Sequence, residues 1–110
     1  MITVFRSKAA GDVIMFGDVA EKMLRLMGKD VVPKGIVTVE QLPDAIAGLQ
    51  AAVAAEKEQL KDVAAEDLPQ FEVAPDGTKR PWVSLTQRAT PLIELLTWAQ
   101  KKKLPVTWGV

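Results

Sequence analysis

Apolar and polar residues alternate from the start of the chain. ITVFRS carries β-branched or aromatic side chains, and the run VIMF resumes the pattern after SKAAGD. A two-residue period of this kind suits a pleated strand, so the segment predicts two strands joined by a turn at Ala10, Gly11 and Asp12. The period then lengthens. Asp18 precedes VAEKMLRLMG with Glu21 three residues later, which places an acceptor and a favourable charge at the start of a helix. Gly28 follows its last turn and is free to take the left-handed conformation that closes a helix.

GKDVVPKG is rich in turn formers, and beyond it Thr38 and Gln41 form a capping-box pattern, with Val37 and Leu42 in the two staple positions. Leu42, Ile46, Leu49 and Val53 follow at spacings of four, three and four, an apolar stripe on one helical face. Pro43 falls in the first turn, where its missing N–H costs little. After Leu60 the pattern decays into a stretch broken by Pro69, Pro75, Gly77 and Pro81, and residues 61–81 read as a loop. Ser84 and Gln87 make another capping box. The helix behind it carries Leu85, Ala89, Leu92, Leu96 and Ala99 on one stripe. Pro91 conflicts with that helix, because it removes a backbone donor and crowds the carbonyl of Gln87. Either the helix kinks there or it restarts with Thr90 as its cap. In LPVTWGV, Val106, Trp108 and Val110 alternate with Thr107 and Gly109, which suits a third strand beside the amino-terminal pair.

The predicted order is therefore β-β-α-α-α-β in one domain spanning 1–110: an α+β fold with a small, mainly antiparallel three-stranded sheet and its helices packed on one face. The length of 110 residues is enough for one core, and 48% hydrophobic with 25% charged residues is the composition of an ordinary globular protein. Formal charge is zero, which gives no overall attraction to nucleic acid or an anionic membrane. Its distribution is uneven. Between Glu40 and Asp76 the carboxylates are opposed only by Lys57 and Lys61, whereas the cations from Lys79 to Lys103 are opposed only by Glu94. The simplest expectation is that the acidic middle and the basic end offset each other, within one chain or between two copies. No stretch approaches the roughly 20 apolar residues of a membrane span, nor the pattern of a signal peptide, so a cytoplasmic location is expected.

Histidine, cysteine, tyrosine and asparagine are all absent. Their absence removes the usual base near neutral pH, the thiol nucleophile and the best transition-metal ligands. No catalytic, metal or cofactor site is expected on these grounds. The remaining candidates are modest. Asp12 and Asp18 flank VIMFG and form a conceivable carboxylate pair, although turn formation and helix capping explain them more simply. Arg88 lies early in an otherwise apolar helix, where a guanidinium must pair or reach solvent, and a carboxylate of the acidic middle would satisfy it. Trp98 and Trp108 flank Lys101, Lys102 and Lys103, an arrangement able to stack and neutralise nucleic acid. Dipole complementation and core packing account for it more simply, so nucleic-acid binding is unlikely.

Three segments together, FRSKAAGDVIMFG, VSLTQRATPLIELL and TWGV, joined by the EQLPDAIAGLQAAV helix, resemble a family of small bacterial proteins known as domain of unknown function 1840. The resemblance implies a stand-alone bacterial cytoplasmic protein and assigns no role to any residue. The depleted chemical inventory then favours an interaction or regulatory module that engages another protein or a second copy of itself. A small-ligand or carboxylate-based enzymatic domain is the alternative, and weak nucleic-acid binding through the basic end comes third.

Overall fold

The computed structural model describes residues 1–110. Strands β1 (Ile2–Ser7) and β2 (Ala10–Phe16) form the expected hairpin, with Val4 opposite Ile14 and Phe5 opposite Val13. Helices α1 (Gly17–Leu26), α2 (Leu42–Leu60) and α3 (Leu85–Lys102) match the three predicted, and β6 (Val106–Trp108) pairs antiparallel with β1. The sheet has four strands rather than three, in the order β2-β1-β6-β3. The addition is β3 (Gly35–Val37), which lies at the end of the turn-rich stretch and pairs antiparallel with β6. Two further short strands, β4 (Phe71–Val73) and β5 (Lys79–Pro81), form a separate antiparallel hairpin inside the segment read as a loop.

Local rules explain the helix ends. At α3 the Ser84 hydroxyl accepts from the Gln87 N–H at 3.1 Å, and the Gln87 side chain accepts from the Ser84 N–H at 3.4 Å. Glu56 of α2 adds a second clamp, accepting from the N–H groups of Leu85 at 2.8 Å and Thr86 at 3.0 Å. Helix α1 ends in a Schellman arrangement: Lys29 N–H donates to the Leu24 carbonyl, Gly28 N–H donates to Arg25, and Gly28 takes φ of 78°. The start of α1 differs from expectation. Phe16 occupies the cap position and Asp18 sits inside the first turn, making no capping bond. Its carboxylate is engaged elsewhere, as described below. Helix α3 runs unbroken through Pro91, so no new helix starts there; the proline costs one ladder bond, and burial of Leu92, Leu95 and Leu96 around it holds the helix together.

The sheet separates its side chains by parity. Phe5, Val106 and Trp108 are buried on the inner face, and Val13 and Met15 are packed against them. Helices α1 and α3 cover that face, and α2 packs chiefly on α3 and also on α1. Trp108 anchors the sheet to the loop before β3. Its indole N–H donates to the Val32 carbonyl at 2.9 Å, and its ring lies over Gly35, where a Cβ would meet it at 2.2 Å. All 19 buried residues are apolar and no buried side-chain polar atom lacks a partner, so the core itself holds nothing that requires a ligand. No helix is long and apolar enough to cross a membrane.

Candidate functional site

The outer face of the sheet has no helix over it. Along β1 and β2 the outward residues meet in cross-strand pairs, Ile2 opposite Phe16 and Val4 opposite Ile14, so the apolar side chains adjoin. Ile2 is 62% exposed, Ile14 63% and Phe16 50%, and Ile36 on β3 adds a further 43% exposed apolar side chain. Arg6 and Asp12, on the same face, pair with each other at 3.4 Å.

At one end of this face four charged residues from four elements converge. Arg80 of β5 donates two hydrogen bonds to Asp18 of α1, at 3.1 and 2.6 Å, and also donates to Glu72 of β4 at 3.0 and 3.2 Å. The other oxygen of Glu72 accepts from Arg88 of α3. The guanidinium of Arg80 also lies 4.6 Å from the centre of the Phe16 ring. The arginine side chains are only 13% and 15% exposed, so this neutral cluster is partly withdrawn from water and fastens the β4–β5 hairpin to the body of the domain. Hydrogen bonding to Arg80 holds the Asp18 carboxyl below its usual range despite some burial. Burial by itself would raise Glu56, but donors from Thr86 and Leu85 outweigh it and hold that carboxyl low as well.

Two of the sequence candidates, Asp18 and Arg88, thus meet in one network, with Arg80 and Glu72 between them. Asp12 does not join them and is half exposed beside Arg6. Trp98 lies at the surface, 48% exposed, with the amines of Lys101 and Lys102 over its ring, and Lys102 also donates to the Ala9 carbonyl. Trp108 belongs to the core. Arg80 and Glu72 escaped the sequence reading, although a signal was present: PDGT is a turn-forming tetrapeptide, and FEV and KRP flank it so that Glu72 falls opposite Arg80.

Two hollows border the open face. A cleft of about 950 Å³ lies between the sheet, α1 and the hairpin tip, with Ile2, Phe16, Leu24, Val32, Asp76 and Arg80 among its walls. Its acids and bases are already engaged: Asp76 accepts from the hydroxyl and N–H of Thr78, and Arg80 is held as above. A groove of about 550 Å³ runs along the outer side of β2, bounded by Val83, Gln87, Arg88 and Pro91 before and within α3. No group of three or more acidic residues is placed to hold a metal ion. The arrangement is therefore apolar surface framed by satisfied charges, suited to contact rather than proton transfer.

No curated protein and no solved structure matches this chain. The family model described as "Domain of unknown function (DUF1840)" does match, over residues 1–108, and the chain belongs to that family.

Proposed function

We propose that this chain is a small protein-interaction module that associates with a second copy of itself through the helix-free side of its sheet. One observation carries the reading: adjoining Ile2, Ile14 and Phe16 are each at least half exposed on a face that no helix covers. Contiguous exposed apolar surface favours a partner that removes it from water, at roughly 25 cal/mol per Å². A second copy suits this face because the formal charge is zero, so two chains approach without net repulsion. The charges bordering the patch are already paired within the chain, so they present no opposing field. The same pairing weighs against the enzymatic alternative, since Asp18, Glu72, Arg80 and Arg88 saturate one another.

Size-exclusion chromatography with light scattering tests the reading directly. The expected mass is twice the 12.0 kDa of one chain, and the dimer should persist or strengthen as salt rises, because an apolar contact is not screened. A monomer at every salt concentration would refute it.

A further inference from the structure

Resting on that self-association, we infer that the two copies join edge to edge along β2, antiparallel about a twofold axis at Ile14, to make one continuous eight-stranded sheet. The sheet has two free edges, and they differ. β3 is three residues long and follows Pro33 and Lys34, features that discourage pairing with another chain. β2 is seven residues long and contains neither proline nor lysine, and its single charge, Asp12, is drawn back to Arg6 on the neighbouring strand. Every second residue of such an edge turns its backbone N–H and C=O away from β1, and only water or another strand can satisfy them. The groove along β2 leaves room for that strand at the usual spacing of about 4.8 Å.

The side chains select the register. A twofold at Val13 would set Asp12 opposite Ile14, placing a carboxylate against an apolar side chain. A twofold at Met15 would set Asp12 opposite Asp18, placing like charges face to face. With the axis at Ile14, the two Ile14 side chains meet on the outer face and Val13 meets Met15 on the inner one, extending the half-buried row that now ends at the groove. Asp12 of the second copy then falls opposite Phe16, whose ring already carries the Arg80 guanidinium, so an acid meets a cation at each end of the joint. The arrangement is self-complementary, as a twofold interface must be.

The chain has no cysteine, so single replacements report the contact cleanly. Cross-strand partners lie about 4.5–5.5 Å apart between Cα atoms, inside the range a disulfide spans. Mild oxidation of the full-length Ile14→Cys variant is expected to give a covalent dimer, whereas Ile36→Cys on the opposite edge should not. Ile14→Lys, at a solvent-exposed position, should retain its circular dichroism spectrum and thermal midpoint while its light-scattering mass halves. A dimer that survives Ile14→Lys, or that cross-links through Ile36→Cys instead, would overturn pairing along β2 and leave self-association standing. A wild-type monomer would remove both.

Discussion

Gly48 decides how closely α1 and α2 approach, and replacing it with alanine sets two effects of opposite sign against each other. A Cβ at this position would lie 2.0 Å from the Leu26 carbonyl oxygen at the end of α1, where ordinary contact requires more than 3 Å. The obstacle is backbone, so no side-chain rotation relieves it; the helices must part by about 1 Å. In an unobstructed helix interior the same substitution would stabilise by about 1 kcal/mol. Overpacking of this kind costs roughly 1–3 kcal/mol, and here it also loosens Met23, Met27, Ile46 and Leu49, which are all buried. The steric effect should win, for a net loss of about 1–2 kcal/mol. For a domain of this size that corresponds to a fall in melting temperature of roughly 5–10 °C. Thermal and urea unfolding followed by circular dichroism measure it, with Ala54→Gly at an exposed position of the same helix reporting the propensity effect alone. A Gly48→Ala protein as stable as the wild type would show that the helices are not held at this contact.

Two other expectations follow from the charged groups. Asp18, Glu56 and Asp76 have folded pKa values below their ordinary values of 3.8, 4.5 and 3.8, so their contribution is complete above pH 4.5 and is lost as the pH falls through the lowered values. With no histidine to titrate, the melting temperature should be level between pH 5 and 7 and fall below pH 4.5; a marked change between pH 5 and 7 would contradict this. Glu72→Gln should leave Arg88 facing a neutral amide, weakening a charge-assisted hydrogen bond by about 1.4 kcal/mol, a factor of roughly ten. Amide exchange should then quicken about tenfold in β4 and β5 with little change in α2; uniform acceleration across the domain would show that the cluster does not act locally.

The parts of the fold legible in the sequence are those whose signals are local. Helices α2 and α3 announce themselves by capping boxes at Thr38 and Ser84 and by stripes such as Leu42, Ile46 and Leu49. β1 and β2 do so by alternation, because one face of each strand is buried. β3 gave no comparable signal: three residues next to Pro33 are too few to show a period, and their place beside β6 depends on Trp108 lying over Gly35. The β4–β5 hairpin stayed hidden for a different reason. Phe71 and Val73 are 61% and 69% exposed, so the pattern there records no burial, and the hairpin is fastened through Arg80 to Asp18, 62 residues away. The need of Arg88 for an acidic partner was readable from its apolar surroundings. That the partner is Glu72, and that Asp18 joins the same cluster, depends on the tertiary fold.

The strand order has a consequence for the route by which the chain reaches its native state. β6 lies between β1 and β3 yet follows every helix in the sequence, so neither neighbour can complete its ladder until the polypeptide has doubled back over almost its full length. Phe5 and Trp108 meet across that closure. Assembly should be limited by this distant joining rather than by helix formation, placing the domain among slower folders of its size. Until it occurs, both flanking strands have open hydrogen-bonding edges, and nascent or destabilised molecules are most prone to mispairing there.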